Sequence, residues 1–101
     1  MVYVVLKTFY PTHKTEEVGK IYMELLKKYP PDKSIAEYVV QGASRPTKKG
    51  PEGMTIFKLK EGQFDKFKKR IISVMAMFNN VEGFGYTIDL WATAEEAAAV
   101  G

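Results

Sequence analysis

The stretch Val2 to Tyr10, VYVVLKTFY, places apolar or aromatic side chains on both alternating parities. A strand of that composition is comfortable only when covered on both faces, which predicts a central position in a sheet. Pro11 and Thr12 break the extended pattern, and Thr15 then reads as an N-cap with Glu16 and Glu17 in the electropositive first turn of a helix. Val18, Ile21, Tyr22, Leu25 and Tyr29 recur at helical spacing as one apolar stripe, with Met23 and Leu26 off it, and Pro30 and Pro31 end the helix. Ser34 to Gly42 reads as a second strand and Met54 to Lys60 as a third. The Gly, Pro and Lys-rich stretch between them, Gly42 to Gly53, is expected to be a long mobile loop.

A second helix is expected over about Gln63 to Asn79, with Phe64, Phe67, Ile71, Val74, Met75 and Phe78 on its inner face. Ile72, Ala76 and Met77 fall outside that stripe, so its second half asks for cover on more than one side. Phe84 to Trp91 alternates as a fourth strand, Phe84, Tyr86, Ile88 and Leu90 against Gly85, Thr87, Asp89 and Trp91. Thr93 and Glu96 have capping-box spacing ahead of a short alanine-rich helix. The predicted fold class is therefore α+β: one domain over residues 1–101, a ferredoxin-like βαββαβ chain with strand order 4-1-3-2 and a C-terminal helix. Both long helices would lie on one sheet face. The opposite face would stay apolar and open, which predicts a homodimer, or an assembly of dimers, joined through it.

Composition narrows the chemistry. The chain has no cysteine, so disulfides, thiolate metal sites and cysteine nucleophiles are excluded. The net charge of +3 rests on thirteen lysines and two arginines, Arg45 and Arg70, a poor match to surfaces that grip phosphate with bidentate guanidinium groups. No apolar run reaches membrane-spanning length and no signal-like segment opens the chain, so a cytoplasmic protein without membrane contact is expected.

Three segments carry a family resemblance: the opening VYVVLKTFYPTHKTEEV, the junction GMTIFKLKEGQFDKF and the ending GYTIDLWATAEEAAAV. Together they span most of the chain, which thereby resembles the dimeric α/β-barrel superfamily. The last of them is most similar to a small uncharacterised family within it, known only as a domain of unknown function. The resemblance implies two ferredoxin-like subunits packed sheet to sheet around a barrel. It covers cofactor-free monooxygenases, isomerases, haem-degrading enzymes and ligand-binding regulatory modules, so the fold does not choose the function.

Candidate ligand-binding residues are Tyr3, Tyr38, Phe57 and Trp91, strand aromatics expected to share the open face, with Lys7 and Asp89 as a charged couple across adjacent strands. His13, the single histidine, would sit at the barrel mouth or in a solvated loop, and one histidine cannot build a histidine metal cluster within a subunit. The inward parity of the third strand stays open, because Lys58 interrupts one face and Thr55 the other. The expectation is a small apolar or aromatic ligand in the barrel or a purely oligomeric module, with no cofactor and no metal. A cofactor-independent monooxygenase or isomerase is the alternative. RNA binding ranks below both: KGPEGMTIF lacks the pattern of an RNA-reading third strand, and Lys66, Lys68, Lys69 and Arg70 gather on the second helix instead.

Overall fold

The computed structural model describes residues 2–100, with side chains throughout except at 97, 99 and 100. The elements are β1 (Val2–Phe9), a 3-10 turn over Thr12–Lys14, α1 (Thr15–Lys28), β2 (Ala36–Arg45), β3 (Glu52–Leu59), α2 (Phe64–Ala76), β4 (Gly85–Ala92) and α3 (Ala94–Val100). The four strands form one antiparallel sheet in the order β2-β3-β1-β4, which counted from the β4 edge is 4-1-3-2. β1 is an inner strand, as its two apolar parities require. No helix among the described residues is long and apolar enough to cross a membrane.

Register decides which parity meets the helices. Val4 stands opposite Phe57 and Leu90, and Leu6 opposite Thr55 and Ile88. Val4, Leu6, Phe57 and Leu59 are buried together with Val18 and Leu25 of α1 and Phe67, Ile71, Val74 and Met75 of α2. Both long helices therefore cover this one face. The opposite face carries Tyr3, Val5, Lys7 and Phe9 of β1, flanked by Met54, Ile56 and Lys58 of β3 and Thr87, Asp89 and Trp91 of β4. α2 leans towards β3, its Phe67 ring meeting Phe57 edge to face at 5.0 Å. Tyr86, Ile88 and Leu90 share the core-side parity of β4 yet remain 44, 39 and 57% exposed, because the helix layer stops short of that edge.

Several local expectations are corrected. The Gly42 to Gly53 loop does not exist at that length: β2 runs on to Arg45, which pairs with Glu52 through a 2.9 Å ion pair, and the connection shrinks to Pro46–Pro51. Two register shifts, between Tyr38 and Val40 and between Val40 and Ala43, absorb the extra residues. Bulges let a Gly-containing, weakly patterned segment stay paired, which composition alone does not reveal. The turn closes through reciprocal 3.1 Å backbone bonds between Thr47 and Gly50. Gly50 is buried at φ +127°, and a Cβ there would collide with the Tyr10 carbonyl oxygen. Thr15 is the first helical residue rather than the N-cap; its hydroxyl donates to the Thr12 carbonyl at 2.6 Å, extending the 3-10 turn into α1. The capping box is present, with Thr93 N–H donating to Glu96 and Glu96 N–H to Thr93 Oγ1, each at 3.1 Å.

Candidate functional site

Between the helix layer and the sheet lies a cavity of about 320 Å³, within a single chain. A dry void of that volume would cost roughly 8 kcal/mol at about 24 cal/mol per Å³. That is comparable with the whole stability of a domain this size, about 5–15 kcal/mol. The space is therefore solvated or filled rather than a packing defect the fold simply tolerates. Its walls come from Leu6 and Thr8 of β1, Val18, Tyr22 and Leu25 of α1, Tyr38 of β2, Thr55 and Phe57 of β3, and Phe67, Arg70, Ile71 and Val74 of α2. The helical stripes and the even-numbered positions of β1 project these side chains inward, so the lining follows from the core pattern itself.

Among the described residues, Asp32 and Arg70 are the only charged side chains lining the cavity. Pro30 and Pro31 end α1, and Asp32 turns the chain into β2, its carboxylate accepting from Ser34 N–H at 2.9 Å and Ser34 Oγ at 2.6 Å. Those hydrogen bonds hold its pKa below the ordinary carboxylate value, with smaller contributions from the Arg70 and Lys66 charges. Arg70 reaches from α2 to the end of α1, donating to the Pro30 carbonyl and lying 5.8 Å from the centre of the Tyr29 ring. Tyr38, half-buried on β2, stacks edge to face on Phe57 at 4.7 Å. Burial raises its hydroxyl pKa, partly offset by the Arg70 charge. Tyr22 closes the wall against the β2 bulge: Gly42 sits at φ +68°, and a Cβ there would approach the Tyr22 hydroxyl to 2.9 Å.

The residues named from sequence separate into two groups. Tyr38 and Phe57 do not share the open face with Tyr3 and Trp91, since strand register turns them to the helices and into the cavity. Tyr3 and Trp91 are cross-strand partners on the open face, where Trp91 is 60% exposed. Lys7 and Asp89 share that face but are not paired: Lys7 opposes Met54 and Thr87, Asp89 opposes Val5, and among the described residues no ion pair joins them. His13 lies exposed in the 3-10 turn, away from the cavity lining. Sequence reasoning passed over Tyr22, Tyr29 and Arg70. The signal was present: Tyr22 and Tyr29 put polar tips on the apolar stripe of α1, and Arg70 stands three residues after Phe67 and four before Val74 on that of α2.

No protein-family model matches the chain, and no curated protein matches its sequence. Among solved structures it is similar to a de novo designed protein, Foldit4, with a TM-score of 0.52 at 10% identity, over 91% of this chain and 96% of that one. At that identity the likeness speaks to the fold alone.

Proposed function

We propose that this chain is a ferredoxin-like binding module that takes a small, largely apolar molecule between its own helices and sheet. The observation that carries the proposal is the 320 Å³ cavity, walled by aliphatic and aromatic side chains with a few polar tips. Its volume admits about ten non-hydrogen atoms at ~30 Å³ each. The ligand site is thus proposed within one protomer rather than in a barrel between two. Thermal unfolding with 1-decanol and 2-naphthol is the test. At about a hundredfold excess over Kd, binding adds about 2.7 kcal/mol, or roughly 10 °C and upward in Tm for a domain this size. Val18→Phe, which fills the space from α1, should abolish that shift while the variant still unfolds cooperatively. A shift that survives Val18→Phe places the ligand elsewhere and overturns the reading.

The open sheet face supports a second reading, homodimerisation of the dimeric α/β-barrel kind. Its support is the run of Val5, Phe9, Ile56, Met54 and Trp91 on a face that no element of the described chain covers. Burying about 600 Å² of apolar surface there would contribute roughly 15 kcal/mol gross at ~25 cal/mol per Å², enough to offset the entropy of association. Sedimentation equilibrium decides it: a dimer that Val5→Glu dissociates and Lys69→Glu leaves intact supports the sheet interface. A species of 11.4 kDa at tens of micromolar would refute it.

A further inference from the structure

We propose that the cavity selects amphipathic anions, in which an apolar body of about ten non-hydrogen atoms carries one carboxylate, and that Arg70 is the group that reads it. The inference rests on the binding function proposed above and adds the charge of the ligand. Four observations carry it. Arg70 lines the cavity and is itself half-buried. Its contact partners, the Pro30 carbonyl, the Tyr29 ring and the Tyr38 hydroxyl, are all uncharged, and the Asp32 carboxylate acts on it only as a weaker, through-space charge. No carboxylate lies within ion-pair distance of it among the described residues, whereas Arg45, the other arginine, is paired with Glu52 at 2.9 Å. Tyr22 and Tyr38 bring hydroxyl groups to the same cavity, where they can donate to an oxyanion.

A guanidinium has five N–H donors in a planar fork, and one carbonyl oxygen leaves most of them free for a bidentate carboxylate. Removing a cation partly from water without a counter-ion is unfavourable, so an anion arriving with its own apolar tail satisfies the charge and the space together. Asp32 is the opposing influence. Its carboxylate lines the same cavity and would repel the ligand, but Ser34 N–H and Oγ already hold one of its oxygens. Asp32 therefore makes no ion pair with Arg70, but its charge still acts on the guanidinium and limits how tightly an anion is held. The specificity follows: carboxylate above alcohol above ammonium, for one and the same tail.

Isothermal titration of the intact chain with decanoate, 1-decanol and decylammonium measures that order directly. Decanoate should bind at least about tenfold tighter than 1-decanol, the margin typical of a charge-assisted over a neutral hydrogen bond, with decylammonium weakest. In Arg70→Met the decanoate-to-decanol ratio should fall to about one, and in Asp32→Asn it should rise. Equal affinities for decanoate and decanol in the unaltered chain, or a preference for decylammonium, would overturn the anion inference while leaving the apolar cavity standing. A preference that persists in Arg70→Met would remove Arg70 from the role. Binding of none of the three would overturn the function itself. The three-probe comparison needs no variant, so it stands even if Arg70→Met fails to fold.

Discussion

Phe57→Ala tests the architecture at the point where the strand parities left two choices. The ring is 4% exposed, meets Tyr38 at 4.7 Å and Phe67 at 5.0 Å, both edge to face, and its backbone partner Val4 is fully buried. Removing it forfeits about 1.5–3 kcal/mol of transfer free energy and two edge-to-face contacts of about 0.5–1.5 kcal/mol each. The sum, about 2.5–6 kcal/mol, brackets the roughly 3–5 kcal/mol that truncation of a buried Phe costs. In urea, with a slope near 2 kcal/mol per M, the midpoint should fall by about 2 M. The neighbouring Lys58→Ala, on the opposite face, should change stability by no more than about 0.5 kcal/mol. If Phe57→Ala costs under about 1 kcal/mol, the ring is not between helix and sheet. The cavity wall it builds would then be wrong as well.

Two further outcomes follow from the geometry. Gly50→Ala should destabilise by about 2–3 kcal/mol, since L side chains are strained at its positive φ and the new Cβ meets the Tyr10 carbonyl; chemical denaturation measures it, and a change below about 0.5 kcal/mol would contradict the tight turn. The pH limits of stability have signs fixed by two shifted groups. Asp32 has a lowered pKa, so its contribution is complete above the ordinary value of 3.8 and is lost as pH falls through the lower folded value, and Asp32→Asn should flatten that acid limb. Tyr38 has a raised pKa, so its contribution is complete below the ordinary value of 10.0 and is lost as pH climbs through the higher folded one. In an absorbance titration Tyr38→Phe should remove an ionisation that falls above the ordinary tyrosine value.

Element type and order were legible in the chain because they rest on local physics. Two apolar parities put β1 inside the sheet, helical spacing marked the stripes of α1 and α2, and Thr93 with Glu96 announced the last helix. What the sequence left open was which parity of β3 turns inward, since Lys58 and Thr55 interrupt opposite faces equally. Only hydrogen-bonded register settles that, by setting Phe57 against Val4, and register is a property of the whole sheet rather than of one strand. The same holds for the hairpin, where bulges between Tyr38 and Ala43 keep a Gly-containing segment paired as far as Arg45. The cavity was illegible for a stronger reason. Helical stripes specify which side chains point at the sheet, but not how far the helices stand from it, and that separation decides whether Tyr22, Tyr38 and Arg70 close a core or surround a space.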